Sequence, residues 1–323
     1  MCEVSDRWIV LVSLVGFEKL SIGDAVAIPY LISAVCTPLT EEEALHEEGL
    51  RAHLDQQAAA NIDGVLIAGT MGLLQLLLDD TYQQLISVAT EHWRGEKLVG
   101  VGDASFVRTR ERIRFVNNFD IDGTVVLAPY FINFSQLEMV DYYESLAKES
   151  SAPLYMYDLP QRTGVELEFE TVAQLARHPN IAGIKCSGDI SKTRRVIDEL
   201  GSKSFRVIVA QPTLIDVLLQ EGICQHLDGI FSIVPHWIQE IAQQATNENW
   251  SEAALGVRRL TELLDVVRRY GVYQSTTALL NHCGIPGVYT PRPYRVFDEP
   301  QRQAFLQEPC VRGLLEDSVP ADR

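Results

Sequence analysis

"LYMYDLPQRTGVELEFETVAQLARHPNIAGIKCSGD", residues 154–189, carries the pattern that decides the fold. It starts on one short apolar run, closing at Tyr157, and ends on another, Ile181 to Ile184. The runs are continuous rather than alternating, which suits parallel strands covered on both faces. The stretch between them has helical, amphipathic spacing, so the whole reads as strand, helix, strand: a right-handed βαβ unit. The second run closes on Lys185. Lysines are seldom buried. The ordinary reading is therefore that the strand has ended and the amine points into water.

The same unit repeats in both directions. Apolar runs occur at "YLISAVC" (30–36), "GVLIAG" (64–69), "KLVGVG" (97–102), "GTVVLA" (123–128), "PLYMY" (153–157), "IAGIK" (181–185), "FRVIVA" (205–210) and "DGIFSIV" (228–234). Eight βα units close naturally into a (β/α)8 TIM barrel, with a doubly wound open sheet as the alternative. Capping-box spacing marks helix starts at Thr40 with Glu43 and Ser135 with Glu138, and Asp80 with Gln83 is similar. After residue 235 the pattern is helical only. We expect the barrel over 26–247 and a C-terminal helical extension packed on it over 248–323. Residues 1–25 form an extension of unknown role. Its apolar stretch "WIVLVSLVGF" (8–17) is too short to span a bilayer, and Glu3 and Asp6 precede it where a signal peptide would be basic.

Charge narrows the partners. The 323 residues carry a formal net charge of -17. Such a chain gains nothing from counterion release on nucleic acid and is a poor match for an anionic membrane surface. The six cysteines contain no C-x-x-C pair, which reads as reduced, cytosolic thiols, and no histidine spacing suggests a metal site.

Reactive groups of a parallel barrel sit at the C-terminal strand ends. There the chain has "GTMG" (69–72), "APYF" (128–131), "YMYDLPQRTG" (155–164) and Lys185. Tyr157 and Lys185 close neighbouring strands and can point into one cavity. A neutral amine there can attack a ketone and form a Schiff base, and a phenol beside it can move protons. The glycines of "GTMG" let backbone N–H groups approach a carboxylate, and the following helix would add its dipole. Cys186, next to Lys185, should face the other side of its strand and serve the core.

Together "AVCTPLT", "GTMG", "LAPYFINFSQLE" and the 154–189 stretch resemble the dihydrodipicolinate synthase/N-acetylneuraminate lyase family, in order, from about residue 33 to about residue 310. The resemblance implies a (β/α)8 barrel with C-terminal helices and a Schiff base between Lys185 and pyruvate or another 2-keto acid. It implies no cofactor beyond that covalent imine, and a homo-oligomer, tetramer or dimer. It implies proton transfer by Tyr157, a hydroxyl from Thr70, a carboxylate cradle from the backbone of Thr70 and Met71, and a second-substrate contact at Arg162. Ala210 and Phe231 would line the mouth from strands seven and eight. Three positions depart from the family's pattern. Met71 replaces a hydroxyl residue, Phe131 stands where many members have a second tyrosine, with Tyr130 expected to face the other way, and Asp158 replaces an asparagine. The departures argue against a standard dihydrodipicolinate synthase. They leave open a sugar-acid aldolase or dehydratase, or a keto-acid-binding protein without turnover.

Overall fold

The computed structural model describes residues 28–317; the sequence extension over 1–25 lies outside them. Eight strands, β1 (Tyr30–Ala34), β2 (Gly64–Ile67), β3 (Glu96–Gly100), β4 (Gly123–Leu127), β5 (Leu154–Asp158), β6 (Ile181–Cys186), β7 (Arg206–Val209) and β8 (Gln225–Asp228), close into one barrel in sequence order. Every pair is parallel, and β8 returns to β1 through Tyr30–Gln225 to Ser33–Asp228. The helices between them are α1 (Glu47–Ala59), α2 (Asp79–His92), α3 (Phe106–Val116), α4 (Gln136–Glu149), α5 (Pro160–Thr163), α6 (Phe169–Leu175), α7 (Ile190–Leu200) and α8 (Ile215–Gln220). After β8 come α9 (Gly229–Ile233), the eighth barrel helix α10 (Pro235–Thr246), then α11 (Trp250–Tyr270), α12 (Val272–His282), α13 (Glu299–Leu306) and α14 (Pro309–Asp317).

Strand alternation divides the core in two. Inward residues Ile32, Leu66, Leu98, Val125, Tyr155, Tyr157, Ile208 and Leu227 form a compact lumen cluster. Outward residues such as Val65, Val99, Val126, Met156 and Ile184 join the helices in a much larger cluster. The apolar runs are continuous because both faces of each strand meet apolar neighbours.

Two local expectations hold and three need correction. Ser135 and Glu138 form a reciprocal capping box at the start of α4. Cys186 faces outward and is buried in the helix-side cluster. The pair Thr40 and Glu43, by contrast, makes a turn in which Glu43 N–H donates to Thr40 O, and α1 starts only at Glu47 with His46 as its cap. Asp80 lies inside the first turn of α2 rather than at its cap. The eighth strand is Gln225–Asp228, whereas the apolar run over 229–233 is helix α9. Asp228 explains the change, since its carboxylate accepts the Ile230 N–H at 3.0 Å and starts a helix there.

Candidate active site

Lys185 and Tyr157 are register partners on β6 and β5, so both side chains point into the lumen at one level. Lys185 is only 5 % exposed, which answers the question its position raised: the amine does not reach into water. Its Nζ lies 3.7 Å from the centre of the Tyr157 ring, a cation–π distance, and donates to Ser187 Oγ at 3.4 Å. No carboxylate forms an ion pair with Lys185 among the described residues. The Tyr157 hydroxyl lies 3.4 Å from Thr70 Oγ1, within hydrogen-bond reach. Amine, phenol and alcohol thus form a short chain across the ends of β6, β5 and β2.

The "GTMG" segment is a turn held from outside. Thr37 Oγ1 donates to Gly72 O at 2.7 Å, tying the end of β1 to it. A side chain on Gly72 would sit 2.9 Å from Ala68 Cα and Gly69 N, so the turn can close only around a glycine. The expected dipole contribution needs correction: α2 begins at Asp79, several residues beyond Gly72, and further turns intervene. Met71 is half-buried and packs on the outer core, with its Cγ against Gly229.

The rim residues fall into two groups. Ala210 is buried at the end of β7, and its N–H donates to Cys186 O at 2.9 Å beside Lys185. Arg162 is exposed on α5 at the end of β5. Phe231 does not lie on a strand; it sits on α9, 1 % exposed, within the outer helix-side core. The pair Tyr130 and Phe131 is reversed from expectation. Tyr130 packs against the lumen cluster, whereas Phe131 is 94 % exposed with φ of 79°. The left-handed backbone at Phe131 turns the chain so that the two rings exchange directions.

Three residues had no signal in the strand-end reading. Ser187 contacts Lys185 from the loop after β6. Asp228 is pushed up from the ordinary carboxyl range by burial, with Lys185 among the charges that pull it back. Tyr273 comes from α12: burial raises its phenol, Tyr294 and Arg162 lie within electrostatic reach, and its ring meets Tyr294 at 5.3 Å. "IKCSGD" could have offered Ser187, but nothing local ties Tyr273 to a strand end so far back in the chain.

Residues 28–308 match the model of the Dihydrodipicolinate synthetase family. The chain belongs to that family. A 4-hydroxy-tetrahydrodipicolinate synthase 1 of Streptomyces coelicolor is 28% identical over 280 residues, 85% of this chain and 91% of the relative. A 4-hydroxy-tetrahydrodipicolinate synthase of Stenotrophomonas maltophilia is 31% identical over 206 residues, 63% of this chain and 68% of the relative. Among solved structures, a 2-keto-3-deoxygluconate aldolase variant of Sulfolobus solfataricus superposes with a TM-score of 0.81 at 20% identity, over 90% of this chain and 97% of that one. CdNal of Clostridium difficile, solved with mannosamine, gives 0.82 at 18%, over 90% and 99%. These structural likenesses speak for the barrel. As a member of the dihydrodipicolinate synthetase family the chain is an enzyme, a class I lyase. No described helix is long and apolar enough to cross a membrane.

Proposed function

We propose that the chain is a Schiff-base lyase for pyruvate or a related 2-keto acid. The observation that carries this reading is the buried amine of Lys185, over the Tyr157 ring and without an ion-pair partner among the described residues. In the cleavage direction Lys185 Nζ adds to the keto carbon. Tyr157 takes a proton from the added nitrogen and returns it to the departing oxygen, so that water leaves and an imine forms. Tyr157 takes the proton of the hydroxyl beside the scissile carbon–carbon bond, that fragment leaves as an aldehyde, and the protonated imine takes up the electron pair of the breaking bond as an enamine. Protonation of the enamine and hydrolysis of the imine then release the keto acid. The substrate carboxylate would lie at the "GTMG" turn, against Thr70 and the adjacent N–H groups. The reading calls for no cofactor, because the imine is the electron sink.

Dihydrodipicolinate synthesis is the named activity favoured by the relatives, with a 2-keto-3-deoxy sugar-acid aldolase next. Arg162 on an open rim suits an anionic or polyhydroxylated second portion of substrate in either case. We also propose a homo-oligomer. Phe131, Ile132 and Leu137 are 94%, 62% and 76% exposed near one another in sequence, an apolar rim that a second copy would cover.

Incubation with pyruvate and borohydride, followed by peptide mass analysis, tests the reading. A reduced adduct on Lys185, absent in Lys185→Ala, is expected. An unmodified Lys185 after a panel of 2-keto acids would overturn it.

A further inference from the structure

Asp158 has no part in the chemistry above. Asp158 follows Tyr157 on β5 and Cys186 follows Lys185 on β6, so both face away from the lumen. They meet the floor of a separate cavity of about 270 Å³ between the barrel wall and helices α6 and α7. At about 30 Å³ per water that is room for a small organic molecule. Ile184, Phe169, Val172 and Val196 give it apolar walls.

We propose that this cavity binds a small organic cation, an ammonium group on a short aliphatic body, with the Asp158 carboxylate as its anchor. Five carboxylates line the cavity, Asp158, Glu166, Glu168, Glu170 and Asp189, against Lys192 and Arg195, so an anion is disfavoured. Three of them already have partners. Glu166 pairs with Lys192, Glu170 with Arg195 at 3.7 Å, and Asp189 caps α7. Asp158 is 9 % exposed and accepts one backbone N–H, from Leu167 at 3.1 Å, and among the described residues it has no ion pair. Its second oxygen lies near Gly188 and the Pro160 ring. Burial pushes this carboxyl up to about 6, against the pull of the Leu167 N–H and Lys192 and with a push from Glu166. A desolvated carboxylate whose nearest positive charge, Lys192, is already paired with Glu166 is stabilised by a further cation. Entry is easy, because the two ion pairs at the mouth are exposed, and such pairs hold weakly. The site does not depend on the chemistry at Lys185.

Calorimetric titration of the full chain with n-butylammonium chloride tests this, with butyrate and sodium chloride at matched ionic strength as controls. Saturable binding of n-butylammonium is expected well above pH 6, with loss as the pH falls below it and Asp158 takes up a proton. Asp158→Asn keeps the acceptor for Leu167 and should weaken binding about ten- to a hundredfold. Val196→Phe fills the cavity from α7 and should abolish binding. Absence of saturable binding by the parent chain, or unchanged affinity in either variant, overturns the proposal.

Discussion

The two ends of the barrel each hold a basic side chain largely out of water, and they treat it in opposite ways. At the N-terminal floor Arg206 donates to Glu96 at 2.5 Å and to Gln225 at 2.5 Å, and its guanidinium lies 4.7 Å from the Tyr30 ring. At the C-terminal mouth Lys185 has one long contact to a serine hydroxyl and the face of Tyr157. Burying a charge is costly unless it is paired and hydrogen-bonded. The floor meets that cost with a carboxylate, whereas the mouth leaves it open. A fully partnered guanidinium holds structure together, while a sparsely partnered amine is left for a substrate.

This contrast can be broken from either end. Lys185→Ala should remove all trapped adduct and all turnover, while thermal denaturation shows no loss of stability, since the truncation removes a poorly partnered charge. Next comes Tyr157→Phe. Turnover should fall about 10²- to 10⁴-fold, the usual weight of a positioned acid–base group, while borohydride still traps the imine. An unchanged rate would reduce Tyr157 to a wall of the lumen. At the floor, Glu96→Ala should lower unfolding free energy by about 3–5 kcal/mol in denaturant, because it strands Arg206, yet leave trapping at Lys185 intact in the folded fraction. Joint replacement of Glu96 and Arg206 by apolar residues should cost much less than the single change.

The smallest effect sharpens the picture behind the strands. Asp158 titrates near 6 in the folded chain and at its ordinary 3.8 when unfolded. Between those values the folded chain holds a proton that the unfolded chain has released. Its stabilising contribution is therefore complete below 3.8 and lost as pH rises through about 6. Asp158→Asn should be more stable than the parent by up to about 3 kcal/mol above pH 6, and the gain should vanish in acid. His53 and His226, each held down to about 4 by burial, act in the opposite sense but equally in both proteins, so they cancel from the difference. A pH-independent gap between the two denaturation curves would remove Asp158 from the account.

Much of this was legible in the chain. Both faces of seven strands are apolar, so continuous runs marked them to within a residue or two. The eighth, "QHLD", has one apolar residue facing the lumen, and the apolar run after it belongs to α9. Lys185 and Tyr157 were legible because strand ends of a parallel barrel converge. The orientation of Tyr130 and Phe131 was not, since it turns on one left-handed residue that no alternation rule anticipates. Phe231 was misread for the same reason as its strand. Tyr273 reaches the rim through packing of the appended helices, which leaves no trace in local spacing.

The contact between Met71 and Gly229 links two positions far apart in the sequence. A side chain at 229 would lie 2.2 Å from Met71 Cγ, so the two positions cannot both be enlarged. A smaller hydroxyl residue at 71 alone would leave a hollow beside Gly229, and adding a methyl at 229 alone would collide with Met71. Each single step is penalised where the paired change is tolerated. Side-chain size at 71, in its turn, and at 229, at the start of α9, is therefore coupled, so the effects of substitutions at the two positions should not add.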